Sequence, residues 1–177
     1  MTGLSEKEQF NIAPNINKKL RDKIKKLDNI KFNSNISKKI KKKNETLINK
    51  KIHNMVDDLH WKVIKFLILN FNNILLGDMS AKSIVSKKNS VLSNASKKAC
   101  LQSRYYVFKQ RLEYKCKLHR TNFKLVNECY TSKICSNCGN YKEELKGEKI
   151  YNCAKCNLSL NRDINGCRNI MIKSLMN

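Results

Sequence analysis

Two pairs of cysteines, each separated by two residues, constrain this chain more than any other feature. The pairs are Cys135/Cys138 and Cys153/Cys156. Structural zinc prefers four thiolate or imidazole ligands in a tetrahedron, and each C-x2-C turn supplies two of them. The separation of the two pairs matches that of zinc ribbons. Gly139 and Asn157 follow the pairs, and both tolerate the left-handed backbone that ends such a turn. The sequence therefore predicts a four-cysteine zinc site.

Two disulfides, or four unrelated buried thiols, are the alternative uses of these cysteines. The N-terminus lacks a basic segment followed by an apolar one, and the longest apolar run, residues 63–69, is interrupted by Lys65 and too short to span a bilayer. We therefore expect an intracellular protein, cytoplasmic or nuclear, without a membrane partner, in a reducing compartment that favours thiolates. The other cysteines have no ligand spacing and are predicted to be small buried residues: Cys100, Cys116, Cys129 and Cys167.

The charge of the chain favours a polyanionic partner. The formal net charge is +23 over 177 residues, and lysines that neutralise phosphates release counterions. A genome poor in G and C would enrich lysine codons without selection for binding, and each single lysine is more simply a solvated surface residue. We nevertheless predict binding to DNA, RNA or both. The candidate contacts lie in one lysine-rich run: Lys38, Lys39, Lys41, Lys42 and Lys43.

Apolar residues at helical spacing predict a basic helical region over residues 1–70. Residues 1–14 form an irregular start, and helices are predicted over about 16–30 and 45–69. Within the second of these helices, His60 is better explained as a packed, hydrogen-bonded histidine beside Trp61 than as a metal ligand or base.

Two short strands are predicted further along the chain, over residues 73–78 and 122–127. The polar segment 80–94 between them is predicted to be a loop, a candidate lid, and residues 96–119 to be one helix. After the cysteines, Asn161 is a good N-cap for a helix that runs to about residue 175 and carries Asp163 in its first turn.

The segments TSKICSNCG, YNCAKC and NRDINGCRNI resemble the C-terminal signature of the TnpB family. These proteins are transposon-encoded, RNA-guided DNA nucleases related to type V CRISPR effectors and to the Fanzor proteins of viruses and eukaryotes, and the resemblance is closest to the Fanzor branch. It covers most of residues 47–175. It implies an α/β fold of the RuvC or RNase H type, into which the zinc ribbon is inserted.

The resemblance also implies a set of catalytic carboxylates. The acidic residue of the R-D-x-N-x-x-x-N-I run is Asp163, while the family glutamate that ends the earlier strand falls on Gly77. Asp78 follows, but side chains alternate along a strand, so it points away from the position of Gly77. Fanzor proteins resemble this chain in carrying a glutamate before the T-S-K run, here Glu128, which we favour over Asp78. Such carboxylates would bind Mg2+.

The third family carboxylate, in a G-x-D-P-G-like motif on the first strand, has no counterpart in this sequence. The expected fold is therefore a partial RuvC-like fold that lacks its first strands. We predict a basic helical region over 1–70, a partial nuclease core over 71–130 and 157–177, and a zinc ribbon over 131–156.

Three functions follow from these patterns. The first is the C-terminal half of a metal-dependent, RNA-guided DNA endonuclease, truncated and inactive alone, which an upstream polypeptide would complete. The second is a non-enzymatic nucleic-acid-binding remnant or regulator. The third, a protein-binding zinc module, is disfavoured by the positive charge.

Overall fold

The described residues of the chain divide into two compact units. A computed structural model describes residues 2–5, 9–12, 15–80, 85–86, 93–145 and 148–176. One unit is helical and comprises residues 13–70 and 80–119, and the other is an α/β unit of residues 1–12, 71–79 and 120–177. The predicted α/β class is confirmed. This division groups residues 80–119 with the helices, whereas the sequence predicted them in the nuclease core.

The helical unit begins with two antiparallel helices, α1 (Ile16–Phe32) and α2 (Lys38–Asn70). The buried residues Leu20 and Ile24 of α1 pack on Ile52 and Val56 of α2. Near the turn, Lys41 Nζ donates to the carbonyl oxygen of Lys31 at 3.3 Å. The predicted break near residue 33 is confirmed.

Helix α2 starts seven residues earlier than predicted, at Lys38 and not near residue 45. The lysine-rich run is therefore helical. Lysine is a good helix former, and no glycine or proline interrupts the run. Apolar periodicity could not predict this start, because the first buried residue of α2 is Ile52.

The predicted single helix over residues 96–119 is wrong, because the chain forms two helices there. These are α3 (Asn94–Gln102) and α4 (Tyr105–His119). Ser93 caps α3, with its Oγ accepting from the backbone N–H of Ser96 at 3.2 Å. The break lies at Arg104, whose φ of 51° is left-handed and incompatible with a continuous helix. Most of the proposed lid over residues 80–94 lies outside the described residues.

His60 is buried in the helical unit, as predicted. Its Nε2 lies 2.9 Å from the carbonyl oxygen of Ser103, so this nitrogen carries the proton and donates. Its Nδ1 then accepts from Arg111 Nη1 at 3.3 Å. Arg111 also donates to Asp57 at 2.6 Å. Burial lowers the pKa of His60, so the histidine is a neutral hydrogen-bonding link from α2 to the α3–α4 junction.

The α/β unit opens with a hairpin that the sequence analysis did not predict. Strand β1 (Thr2–Leu4) pairs antiparallel with β2 (Gln9–Asn11), where an irregular start was expected. The segment is too short for its alternation to stand out. Strand β3 (Asn73–Gly77) then pairs in parallel with β4 (Asn122–Val126), which confirms both predicted strands with ends one residue earlier.

The ribbon and the last helix complete this unit. Strands β5 (Ile150–Asn152) and β6 (Ser159–Asn161) are antiparallel, and helix α5 (Arg162–Met176) follows directly. Helix α5 packs on β3, on β4 and on the first hairpin. The side chain of Asn161 accepts from the backbone N–H of Asp163 at 2.8 Å, which confirms it as the cap of α5. Among the described helices, none combines the length and the apolar character that a membrane crossing requires.

Candidate metal centre and acidic site

The four predicted zinc ligands lie together in the α/β unit. The Sγ atoms of Cys135 and Cys156 are 3.6 Å apart, as are those of Cys138 and Cys153, and all four atoms lie within 4.8 Å of one another. A zinc–sulfur distance of about 2.3 Å implies sulfur–sulfur edges of about 3.8 Å in a tetrahedron. The cluster therefore has the size of a four-thiolate zinc site. Within the described ranges it is the sole group of three or more potential ligands at such distances.

Two turns of the same design supply the ligands. In the first, the N–H of Gly139 donates to Cys135 O and the N–H of Cys135 donates to Asn140 O, at 3.0 and 2.9 Å. In the second turn the N–H groups of Asn157 and Cys153 make the equivalent bonds at 3.0 and 2.9 Å. Gly139 and Asn157 have φ values of 71° and 55°. The predicted left-handed positions are confirmed, and each pair of thiols is held by its own backbone.

The thiols interact strongly with one another. A hydrogen bond from the side chain of Asn137, with the backbone N–H of Leu158, lowers the pKa of Cys156 to about 6. At Cys138 the backbone of Asn140 favours the thiolate, but burial and the neighbouring thiols outweigh it and raise the pKa to about 12. Like charges thus oppose full ionisation, and a divalent cation among the four sulfurs would relieve that repulsion and release the remaining protons.

Tyr151 supports the cysteine cluster. Its side chain is fully buried against the cysteines. Its hydroxyl donates to Lys133 O at 3.3 Å, and Asn140 O lies at 3.5 Å. Burial, followed by the charges of the four cysteines, raises the pKa of Tyr151 to about 12. The tyrosine therefore stays neutral and fills the space between the two turns.

Two buried asparagines on α5 attach the first turn to the helix, and the sequence analysis did not identify this role. Asn165 Nδ2 donates to Ile134 O at 2.7 Å, while its Oδ1 accepts from the N–H of Ser136 at 3.0 Å. Asn169 Nδ2 donates to Thr131 O and Ile134 O, both at 2.7 Å. The signal was present in the spacing, because residues four apart lie on one helix face.

The other four cysteines differ in exposure. Cys116 is buried, as predicted, and Cys100 and Cys167 are half-buried. The prediction for Cys129 is wrong, because this side chain is exposed. It follows the last residue of β4 by three positions, in the turn that leads to the ribbon, where no strand pattern would direct it towards the core.

Glu128 lies against Gly77 at the carboxyl ends of β3 and β4. A Cβ atom built on Gly77 would lie 2.7 Å from Glu128 Oε2 and 3.1 Å from Ile170 Cδ1. A side chain at residue 77 would therefore require Glu128 to turn its carboxylate away from its present position. The carboxylate of Glu128 occupies the space next to the residue onto which the family glutamate was mapped from the sequence.

Asp78 lies near Glu128 at the same edge. Its backbone N–H donates to Val126 O at 2.8 Å, which continues the parallel ladder by one bond. Burial, and then the negative charge of Asp78, raise the pKa of Glu128. The two carboxylates therefore repel each other, and such an edge favours either a proton or a cation.

Asp163 is exposed at the start of α5, towards the ribbon. It precedes Ile170, the α5 residue nearest Gly77, by seven positions, which is about 10 Å along the helix axis. In the described part of the chain the three carboxylates do not form a group with mutual distances within 4.8 Å. The structure thus brings Asp78 and Glu128 to one strand edge and places Asp163 about two helical turns from Ile170.

The predicted phosphate-binding lysines lie in the helical unit, on the first turns of α2. Lys38, Lys39, Lys42 and Lys43 are exposed, and Lys41 is half-buried. Lys39, Lys42 and Lys43 line one shallow depression together with Thr46 and Leu47. None of these described lining residues is acidic, so the depression presents positive charge to the solvent.

Comparison with known proteins identifies relatives of the chain. Residues 105–170 match the family model of the Cas12f1-like TNB domain. A TnpB-like protein of Acanthamoeba polyphaga mimivirus is 38% identical over 122 residues, which are 69% of this chain and 23% of that protein. The CRISPR-associated endodeoxyribonuclease Cas12f1 of Sulfoacidibacillus thermotolerans is 33% identical over 72 residues, 40% of this chain and 17% of that protein. The matches thus span less than a quarter of these relatives' lengths.

The fold has a counterpart among solved structures. A chain in the cryo-EM structure of a Cas12f1–sgRNA–target DNA complex is similar to 92% of this chain, with a TM-score of 0.59, 21% identity and 43% of that chain covered. At this identity the likeness concerns the fold.

Proposed function

The chain belongs to the TnpB family, and from this premise we propose that it is a nucleic-acid-binding part of a metal-dependent DNA endonuclease that does not cleave DNA alone. The family is one of transposase-associated and nuclease-related proteins. We also propose that the chain lies nearest to the Fanzor branch of the family, that the cysteine site binds zinc and that the chain binds nucleic acid.

Nucleic-acid binding is supported by charge and by the solved relative. The net charge is +23, and exposed lysines on the first turns of α2 concentrate part of it. The related Cas12f1 was solved with a guide RNA and a target DNA. Phosphate contacts of this kind carry little sequence information, so we expect binding without sequence preference.

The proposal for the nuclease site rests on one observation, the contact of Glu128 with Gly77. The resemblance aligns a glutamate of the family with residue 77 of this chain. Here a side chain at that residue would collide with Glu128 Oε2. In this proposal the carboxylate that the family carries at the end of β3 is supplied by Glu128, which lies in the turn after β4 and at the same strand edge. Glu128 is the first proposed catalytic residue and Asp163 the second.

The donor set fits a hard divalent cation. Mg2+ prefers oxygen ligands. Burial and the charge of Asp78 raise the pKa of Glu128, so a cation beside it would stabilise its ionised form. Glu128 would hold the ion, with Asp78 supporting it through its charge and Asp163 contributing from the start of α5. Bound Mg2+ would activate water and stabilise the leaving oxygen. The protein's own part is to place the carboxylates at the strand edge.

Cleavage by the chain alone is not expected. Two metal ions about 4 Å apart need several carboxylates in reach of both, whereas Asp78, Glu128 and Asp163 do not form a cluster with mutual distances within 4.8 Å in the described residues. Strands β3 and β4 also form a two-stranded sheet whose outer edges are unpaired by other described strands. An upstream polypeptide that adds strands there would cover these edges and supply the third carboxylate.

Mg2+-dependent cleavage of a plasmid, with a guide RNA, tests the catalytic part of the proposal. The chain alone should leave the plasmid intact, and addition of the complementing polypeptide should produce cleavage that Asp163→Ala abolishes. Cleavage by the chain alone, abolished by Asp163→Ala, would contradict the expectation that it is inactive by itself.

Salt dependence tests the binding part. The affinity for DNA should fall steeply between low and physiological salt, and replacing Lys42 and Lys43 by glutamine should reduce the slope of log K against log salt by about 0.7–0.9 for each phosphate that is no longer neutralised. The matched control replaces Lys62 and Lys65 of the same helix. Affinity that does not depend on salt would contradict a phosphate-dominated mode.

The lack of a close cluster of three carboxylates among the described residues favours one alternative, a non-enzymatic nucleic-acid-binding remnant or regulator. A regulator of this kind should bind nucleic acid in a salt-sensitive manner, as the proposed endonuclease part should. The alternative also predicts that no complementing polypeptide restores cleavage, so the plasmid assay separates the two.

A further inference from the structure

We propose that a cleft between the first hairpin and α5 binds a peptide segment that carries a carboxylate next to an apolar side chain, with Arg168 and Ser136 as the polar contacts. The complementing polypeptide proposed above is the partner that would supply this segment. The inference thus rests on the proposed function and adds to it a docking site and the chemistry of its occupant.

Three parts of the α/β unit surround the cleft: the end of β1, the first cysteine turn and the middle of α5. The lining residues are Leu4, Ser5, Ser136, Arg168, Met171 and Ile172. The cleft has a volume of about 300 Å3, which is at the lower end of the range for ligand pockets. A space of this size accepts one or two side chains of a peptide and not a large cofactor.

Arg168 brings a positive charge into the cleft that no described acidic side chain neutralises. The residue is half-buried, and none of the ion pairs or side-chain hydrogen bonds of the described residues includes it. Burial removes part of the water around a charged group, and this is costly when no partner replaces the water. The guanidinium therefore offers its planar set of N–H donors to an incoming carboxylate, which it can bind through two parallel hydrogen bonds.

The hydroxyl of Ser136 is the second polar group without a partner. Its Oγ is buried and forms no hydrogen bond in the described part of the chain, while its backbone N–H donates to Asn165 Oδ1 at 3.0 Å. A buried hydroxyl left in this way is rare and destabilising. Arg168 follows Asn165 by three positions and so lies on the same side of α5. A carboxylate in the cleft would give both Arg168 and Ser136 the partner that each lacks.

The other walls of the cleft favour a peptide over a nucleic acid. Leu4, Met171 and Ile172 are aliphatic, and Met171 and Ile172 are 41% and 39% exposed. Among the described lining residues there is no aromatic ring on which a base would stack, and no second cation for a neighbouring phosphate. One arginine beside an aliphatic wall fits a carboxylate that is followed or preceded by an apolar side chain.

The hairpin that forms one wall is held in place by its own aromatic residue. The ring of Phe10 covers Gly3, so that a Cβ atom at residue 3 would collide with it. The same ring stacks on Phe71, two residues before β3, with the ring centroids 5.6 Å apart. Strand β1 also packs on α5. Because the walls are already in place, binding of a peptide would not require the cleft to be ordered first, which lowers its entropic cost.

Fluorescence anisotropy of a labelled octapeptide with one aspartate between two leucines tests the inference on the full chain under reducing conditions. The same peptide with asparagine in place of aspartate should bind about tenfold more weakly, and Arg168→Gln should weaken binding of the aspartate peptide by about the same factor. Arg168→Lys should restore only part of the affinity, since an ammonium group lacks the planar set of donors. Arg168→Gln breaks no ion pair of the described residues, so its unfolding temperature should not fall.

The matched control is Arg120→Gln, which removes the same charge from an exposed position of the α/β unit outside the cleft. It should bind the aspartate peptide normally. Equal binding of the two peptides by the unchanged chain, or unchanged binding in Arg168→Gln, would overturn the inference. So would a short oligothymidine whose affinity depends on Arg168 as strongly as that of the peptide, because the site would then be one for phosphate. All three outcomes leave the proposed function intact, whereas DNA binding that does not depend on salt would contradict that function and leave peptide binding unaffected.

Discussion

The cysteine centre and the acidic site of the α/β unit differ in how the chain assembles them. Each pair of cysteines comes from one turn of four residues, and both turns make the same backbone hydrogen bonds. The carboxylates come from three separate places: the end of β3, the turn after β4 and the start of α5. The first site is complete within residues 135–156, whereas the second depends on how distant segments pack.

The comparison shows what a metal contributes in each case. At the cysteine centre the backbone already brings the four thiols together. Hydrogen bonds from Asn137 and Leu158 lower the pKa of Cys156, whereas burial and the neighbouring thiols raise the pKa of Cys138. At the acidic site the charge of Asp78 raises the pKa of Glu128, so these two carboxylates are neighbours. We therefore expect zinc to be part of the fold, and Mg2+ to bind weakly unless further ligands are added.

Loss of zinc should have the largest effect. Cys135→Ser should abolish stoichiometric zinc binding and unfold the ribbon, because structural zinc contributes about 10–16 kcal/mol in small zinc domains. Elemental analysis of protein purified under reducing conditions gives the measurement, with about one zinc per chain expected before substitution. Cys129→Ser is the control, since this cysteine is exposed and outside the cluster. If the purified chain contains no zinc, the claim that zinc is part of the fold at the cysteine centre is wrong.

Removal of the asparagine attachment should have the next largest effect. Asn165→Ala removes two hydrogen bonds from a fully buried position, and leaves Ser136 N–H without its partner. We expect a loss of roughly 2–3 kcal/mol in the free energy of unfolding, with zinc still bound. Chemical denaturation measures this, and Asn152→Ala, at an exposed position in β5, is the control. Equal stability of both variants would show that the ribbon does not depend on α5.

The pH dependence of Glu128 should be a smaller effect. Burial and Asp78 raise its pKa above the ordinary 4.5, so the protonated form is favoured in the folded state. Its contribution to stability is therefore full below about pH 4.5 and is lost as the pH rises through the folded-state pKa. Glu128→Gln should be more stable than the unchanged chain at neutral pH, and the difference should shrink on acidification. A difference that grows on acidification would contradict the assigned direction of the shift.

Much of the cysteine centre could be predicted from the sequence because its information is local. The spacing of Cys135 to Cys138, and the left-handed residues Gly139 and Asn157, define each turn without reference to the rest of the fold. The helices were predictable where apolar residues recur, but the start of α2 and the break at Arg104 were not, since exposed lysines and a single left-handed residue leave no apolar pattern.

The acidic site marks the limit of reasoning from local sequence. The sequence suggested Glu128 through resemblance, and strand alternation argued against Asp78, but neither could show that Glu128 occupies the space beside Gly77. That contact depends on the parallel register of β3 and β4, in which Gly77 is paired with Val126. The role of Asn165 and Asn169 was hidden for the same reason, since their partners lie more than 25 residues earlier in the chain.

An exchange of Gly77 and Glu128 tests most directly whether Glu128 replaces the carboxylate missing at Gly77. The measurement is the rise in unfolding temperature on addition of Mg2+ or Mn2+. The unchanged chain should be stabilised, Glu128→Ala should lose this effect, and the double variant Gly77→Glu/Glu128→Ala should regain it. Removing Glu128 Oε2 relieves the shortest contact of a side chain at residue 77, although Ile170 Cδ1, at 3.1 Å, would still have to shift by a few tenths of an ångström. A Glu128→Ala variant that responds to the cation like the unchanged chain, or a folded double variant that does not respond, would contradict this account.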